Sequence, residues 1–594
     1  MERRARWVQV LPAVAGTALS VAHASAQLFP PAYELSSLLP SNGGDGSEGF
    51  VVHGVSAFDI CGRSVASAGD LNGDGVDDLV IGANGADPNG PYSGETYVVF
   101  GGGSVGSAGV IELSDLDGST GFVIRGAAAG DSSGASVASV GDVNGDGMDD
   151  LLIGAYFASP NGESSGTTYV IFGGSDVGST GVVELSGLSG SDGFALNGAA
   201  PGDVSGFSVA SAGDINGDGF GDLLIGADSA DPNGAYSGTT YVVFGGLGVG
   251  SSGVFELGSL NGSNGFALHG GFMNDSSGFS VCSPGDVNGD LVADLLIGAR
   301  GASPNGARSG SSYVLFGGSG VGSTGVIELS GLGAPAGFAI NGVAANDFSG
   351  ASVSGAGDID GDGVDDLLIG AYGVDTNGAR SGASYVVFGG VGVGASGPVE
   401  LSALSGADGF VLNGVAASDF SGRSVSSAGD LNGDGVDDLV IGASGAAPNG
   451  SRSGSAYVVF GGLGVGSSGS FELSSLSGTD GFVLNGANED DSTGISVASG
   501  GDVNGDGLGD LVVGAYRASP NGVSSGASYV LFGRATPCVA DLAEPFGALD
   551  FADVLAFLVA FGAGDVGADL ADPSGVFDFA DVLAFLTAFG SGCE

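Results

Sequence analysis

Lysine is absent from this 594-residue chain, and its twelve arginines face 67 acidic residues for a formal charge of −55. Phosphate backbones are gripped by clustered Lys and Arg, so this balance argues against a nucleic-acid partner. Without lysine there is no Schiff base and no amine nucleophile. Histidine occurs three times, and His23 falls in the N-terminal leader. The other two, His53 and His269, stand 216 residues apart. Cysteine occurs four times, too sparsely for a disulfide scaffold. Helical periodicity is missing until the last sixty or so residues. Beyond the leader no apolar run is long enough to span a bilayer.

What is present is glycine, acid and repetition. Glycine accounts for 123 residues without a G-x-y period, and 43% of the chain is still hydrophobic. Short apolar strands joined by tight turns fit that composition better than collagen or disorder. The stretch DLNGDGVDDL at residues 70–79 recurs, varied, from Asp142, Asp214, Asp286, Asp358, Asp430 and Asp502, always 72 residues on. So regular a period marks a repeat protein whose units bury their apolar faces against each other.

Residues 1–26 read as an export signal: Arg3, Arg4 and Arg6, an apolar run from Trp7, then Ala24-Ser25-Ala26, with cleavage expected before Gln27. A membrane anchor is the alternative, but the run is short and contains Pro12. Loss of this leader takes three arginines and one glutamate, leaving −57 and a chain expected to be secreted or displayed at the cell surface.

Within the second unit the runs from Gly121, Ser133, Asp150 and Thr168 are short, apolar or alternating, and bounded by glycine. Four strands per unit, about twenty-eight in all, is the expectation. A turn built on Pro160-Asn161-Gly162 recurs in every unit, with Thr376 replacing the proline in the fifth. Seven units could stack as a solenoid or close as a ring. GFVVHG at Gly49 precedes the first acidic loop, whereas the seventh unit ends at YVLFGR without such a strand. An N-terminal strand completing the last blade would close a seven-bladed β-propeller and remove its open edges.

SVASAGDLNGDGVDDLVIGA followed by YVVFGG resembles the FG-GAP repeat, the blade unit of the propeller in integrin α chains and many bacterial secreted proteins. The resemblance runs from about residue 34 to 533 and implies a seven-bladed propeller over residues 27–535.

The acidic loop places oxygens at positions 1, 3, 5 and 9, a glycine at position 6, and a backbone carbonyl at position 7. That is calcium-loop spacing, in which alternate side chains turn toward one point. The candidate ligands are Asp70, Asn72, Asp74, Val76 and Asp78; Asp142, Asn144, Asp146, Met148 and Asp150; Asp214, Asn216, Asp218, Phe220 and Asp222; Asp286, Asn288, Asp290, Val292 and Asp294; Asp358, Asp360, Asp362, Val364 and Asp366; Asp430, Asn432, Asp434, Val436 and Asp438; Asp502, Asn504, Asp506, Leu508 and Asp510. Asp77 reads as a bystander. A metal-free hairpin whose aspartates cap backbone N–H groups is the competing reading. Position 12 carries no acid (Ile81 in the first loop), which points to weak extracellular sites of ~10⁻⁴ to 10⁻³ M. Leu291 stands where the other loops have glycine, so the fourth site is expected to be weakest or empty.

After RATP the composition changes, and two copies 28 residues apart, ADLAEPFGALDFADVLAFLVAFGAG and ADLADPSGVFDFADVLAFLTAFGSG, carry apolar residues at helical spacing. Residues 536–594 resemble a dockerin, a small helical module that binds a cohesin-like scaffold. The resemblance implies tentative metal ligands at Asp541, Asp550, Asp553, Asp569, Asp578 and Asp581, although Pro545 and Pro573 replace a middle ligand. A helical hairpin that caps the propeller is the alternative. Cys538 and Cys593 bracket the module and could pair in an oxidising compartment, whereas Cys61 and Cys282 are expected to be free.

No catalytic constellation emerges, and equal unit lengths leave no insertion to build a pocket. The reading is a calcium-binding propeller that binds an extracellular protein or polysaccharide and is tethered by its tail. The alternatives are a propeller-scaffold polysaccharide hydrolase or lyase, and a structural surface-layer component.

Overall fold

The computed structural model describes residues 29–535 and four isolated later positions, Val554, Phe557, Leu558 and Val582. The expected export leader and, apart from those four positions, the expected dockerin-like module, with its tentative ligands and the candidate Cys538–Cys593 pair, lie outside the described residues.

Seven sheets form the seven blades. In blade one the strand nearest the axis is Ser64–Gly69, followed outward by Asp78–Ala83, Glu95–Val99 and Gly121–Arg125, all antiparallel. Innermost strands touch from blade to blade, and the last, Val497–Gly501, touches the first, so the ring is closed. Closure is made by the N-terminal segment: Gly49–His53 pairs antiparallel with Ala527–Leu531 and becomes the fourth strand of blade seven. The second strand is buried along its whole length in every blade, as in Asp78–Ala83, because neighbouring blades cover both of its faces.

The expected four strands per blade are corrected to five. Between the third and fourth strands of each unit the chain reaches back to the preceding blade and adds a strand of two or three residues, parallel to that blade's fourth. Val110–Glu112 does this on Gly49–His53, and Val182–Glu184 does it on Gly121–Arg125. These pieces are too short to show a period of two, so sequence alternation does not reveal them. The N-terminal Ala32–Glu34 plays the same part for blade six, on Gly481–Asn485.

Each added strand ends in a glutamate that clamps two elements. Asn161 of the Pro-Asn-Gly turn donates its amide to the Gly198 carbonyl at 2.9 Å and to Glu256 Oε2 at 2.7 Å, while Asn197 donates to Glu256 Oε1. All seven turn asparagines meet a glutamate in this way, including Asn377, beside Thr376, and Asn449, which meets Glu34. His53 and His269 take the place of Asn197 in two blades and face Glu112 and Glu328. His53 and His269 are therefore clamp residues in separate blades.

Candidate metal centre

Each acidic loop joins the first strand of a blade to the second, at one end of the ring. The loop is organised by its own carboxylates. Asp70 accepts the Asp74 N–H on Oδ1 and the Gly75 N–H on Oδ2, both at 2.9 Å, and Asp74 accepts the Val76 N–H. The last aspartate is the deepest. Asp78 is fully buried, accepts the Gly101 N–H at 2.9 Å, and lies 3.3 Å from the Asn72 amide nitrogen. All seven equivalents make the same bond to the glycine two residues beyond the third strand.

Burial, reinforced by the facing Asp74 and Asp70, pushes the Asp78 carboxyl up to about 7. Burial raises Asp366 and Asp438 to about 8, and the like charges of Asp360 and Asp434 add to the rise. A carboxylate placed among carboxylates without a counter-cation is held toward its protonated form.

In the fifth loop aspartate replaces asparagine at position 3, and ligand oxygens of Asp358, Asp360 and Asp366 lie within 4.8 Å of one another. Three hard oxygens converging on one point, two of them on partly exposed residues, suit a calcium-sized cation. In the other loops an amide oxygen can take that position once the carboxamide is turned. The N–H bonds accepted by position 1 also fit the metal-free capped hairpin, but each carboxylate oxygen keeps a lone pair that a cation can take. The residues present fit calcium with the asparagine turned to present its oxygen.

Leu291 adopts φ +70°, the left-handed conformation that glycine provides in the six other loops. The fourth loop keeps the shared geometry nonetheless, with Asp286 accepting the N–H groups of Gly289, Asp290 and Leu291. Leucine thus carries a conformational cost of about 1 kcal/mol or more at this position.

Asp77 is no bystander. Its Oδ2 accepts the N–H of Asp502, the first residue of the seventh loop, at 2.8 Å. Asp149 does the same for Asp70, Asp365 for Asp286 and Asp437 for Asp358. Position 8 therefore latches a loop to the loop of the preceding blade wherever it is aspartate, and Gly221, Ala293 and Gly509 leave the remaining three junctions without this bond. The partner glycine is required. A Cβ on Gly69 would stand 2.1 Å from Asp149 Oδ2, whereas one on Gly141, at a junction without the latch, would meet nothing. Sequence alone gives no sign of the latch, because glycine precedes all seven loops whether or not position 8 of the neighbouring loop is aspartate, and only ring geometry joins Asp149 to Asp70, 79 positions away.

Cys61 and Cys282 are free, in blades one and four.

Six segments, residues 62–99, 133–171, 205–243, 349–387, 421–459 and 493–531, match the model of the FG-GAP repeat. Six of the seven blades thus carry a segment that matches the FG-GAP repeat. The unit without a match is the fourth, which carries Leu291 and whose FG-GAP-like strands Ser277–Gly285, Asp294–Ala299 and Ser311–Leu315 nevertheless form a blade like the others. Among curated proteins the chain is similar to integrin alpha pat-2 of Caenorhabditis elegans, 33% identical over 269 residues. That match takes in 43% of this chain and only 19% of the relative. A solved structure of BBS1N in complex with ARL6DN, soaked with lead, aligns over 82% of this chain and 97% of that one, with 11% identity and a TM-score of 0.39. A likeness at that score carries no argument about this chain.

Proposed function

We propose that this chain is an extracellular or surface-displayed binding module, an FG-GAP propeller held rigid by calcium in its blade loops. The observation that carries the reading is the loop itself: one oxygen-rich geometry repeated in every blade, with the Asp358, Asp360 and Asp366 oxygens drawn together. Its likeness to an integrin α chain supports adhesion over catalysis. The ligands would come from positions 1, 3, 5 and 9 of each loop, as in Asp70, Asn72, Asp74 and Asp78, with the Val76 carbonyl as a fifth. Calcium there supplies positive charge that offsets the mutual repulsion of the carboxylates. The protein keeps the loop folded through Asp70 and ties it to the third strand through Asp78. Sites without a bidentate acid at position 12 suit the millimolar calcium found outside cells.

The ligand class is an extracellular protein or polysaccharide. Among the described residues no helix is long and apolar enough to cross a membrane, and the leader would direct export. Capture of partners on the immobilised mature chain, in calcium and in EDTA, tests the reading together with a screen on neutral and acidic polysaccharides. Saturable, calcium-dependent binding without turnover is expected. Turnover of a polysaccharide would favour the hydrolase or lyase, and self-assembly on calcium addition the surface-layer component. A cohesin-type partner for the tail is a separate proposal, tested by binding of the full chain to a cohesin with and without calcium.

A further inference from the structure

Among the described residues the four most exposed large apolar side chains are Leu247, Leu291, Val391 and Leu463, at 83, 93, 94 and 92%. All four lie at the metal-loop end of the ring. Three of them occupy one repeated slot, just after the third strand, where each leans on position 4 of the preceding blade's loop. Leu463 Cδ2 comes within 4.0 Å of the point where a Cβ would sit on Gly361, Val391 Cγ2 within 3.7 Å of that point on Gly289, and Leu247 Cδ2 within 3.3 Å of that point on Gly145. Leu291 is the tip of the loop on which Val391 leans, and it holds its left-handed φ there at a conformational cost. A leucine that is both strained and almost wholly in water has no role within the blade, which leaves contact with something outside it.

In blade seven the same slot is filled by Ala535, whose Cβ lies 2.7 Å from the corresponding point on Gly433 of the sixth loop. This is where the chain leaves the propeller. Moving round the ring from that exit, the fifth loop carries Leu463 and the fourth carries Val391 and Leu291. The third loop has Ser319 in the slot, so the apolar arc stops there and Leu247 stands apart. The chain that follows Ala535 contains Val554, Leu555, Leu558 and Phe561, around a Phe557 that is already buried, and repeats them as Val582, Leu583, Leu586 and Phe589.

We propose that residues 536–594 fold back onto the metal-loop end of the propeller and cover Leu463, Val391 and Leu291 with these apolar side chains. A covalently attached occupant faces the patch at an effective concentration in the millimolar range, which a second copy or a lipid surface in dilute solution does not match. The arc begins beside the exit point, as an intramolecular partner requires. In this arrangement the tail shields the fourth, fifth and sixth loops and leaves the first three uncovered.

The test is photo-cross-linking of the full chain carrying benzoylphenylalanine at position 463, with position 247 as the reference. Cross-links from 463 into residues 536–594 of the same chain are expected, at a yield at least fivefold above that from 247. A companion chain with Leu291→Gly, Val391→Ser and Leu463→Ser together, all at exposed positions, should have its tail cleaved by a non-specific protease at least tenfold faster while the propeller melts no lower than before, since Leu291→Gly relieves a left-handed leucine. Cross-links that join two chains, equal yields at 463 and 247, no cross-link to the tail, or an unchanged cleavage rate would each overturn the proposal.

Discussion

Replacing Asp149 by alanine removes one of the four latches between neighbouring loops. Its carboxylate accepts the Asp70 N–H at 2.9 Å across the junction of blades one and two. A hydrogen bond to a charged acceptor contributes roughly 1.5–3 kcal/mol when well shielded. This one is only partly buried, and burial raises the Asp149 carboxyl above its usual range, so part of that gain is already offset by desolvation. After substitution the Asp70 N–H can turn to water. A loss of about 1 kcal/mol follows, which in a domain of this size lowers the melting temperature by about 1–2 °C. The assay is calorimetry in EDTA, so that metal binding does not enter. The reverse change supplies the control. Ala293 already places a Cβ opposite Gly213, so Ala293→Asp offers the N–H of Asp214 the partner it lacks in the native ring and should raise the melting temperature by a similar amount or less. If Asp149→Ala melts like the parent and Ala293→Asp melts lower, the latch has no energetic content and the reasoning fails.

Gly69→Ala and Gly141→Ala form a second pair. Both residues sit at φ near +65°, at +64° and +67°, but only the first Cβ strikes the latch aspartate, so Gly69→Ala should cost about 1 kcal/mol more in urea titrations. Equal losses would show that the close approach to Asp149 is easily relieved. Deleting residues 27–55 takes the fourth strand from blade seven and the fifth from blade six, and should abolish the cooperative melt of the ring; a melting temperature unchanged from the parent would contradict closure by that segment. The pH profile follows from the buried aspartates. With folded-state values of about 7 to 8 against an ordinary 3.8, the metal-free fold binds protons more tightly than the unfolded chain, so its stability grows as pH falls from about 8 toward 5. With calcium bound the trend should reverse, because protons then compete with the metal. Melting curves at several pH values, with and without calcium, test this, and a flat metal-free profile would count against the buried carboxylates.

Much of the propeller was legible because its signals are local and repeated. Glycine-bounded apolar runs, the acidic hairpin and the 72-residue period required no knowledge of distant contacts, and the unpaired strand at Gly49 already pointed to closure. What escaped was carried between blades. Val110–Glu112 is too short to announce itself as a strand, and it pairs with a neighbour rather than its own blade. The Asn161–Glu256 clamp and the Asp149–Asp70 latch join residues 95 and 79 positions apart. Asn161 read as a turn former and Asp77 as surplus charge because their second role exists only once the ring is closed. Leu291 worked the other way: a single departure from glycine in a repeated loop announced a left-handed residue, and φ there is +70°.

The central claim is that the blade loops are calcium clips, and differential scanning calorimetry of the mature chain over a calcium titration addresses it most directly. The melting temperature should climb through the millimolar range and return to its starting value in excess EDTA, as mass action requires of an ion bound only by the folded state. A melting temperature indifferent to calcium and EDTA would contradict it, and would leave the aspartates as caps of a metal-free hairpin.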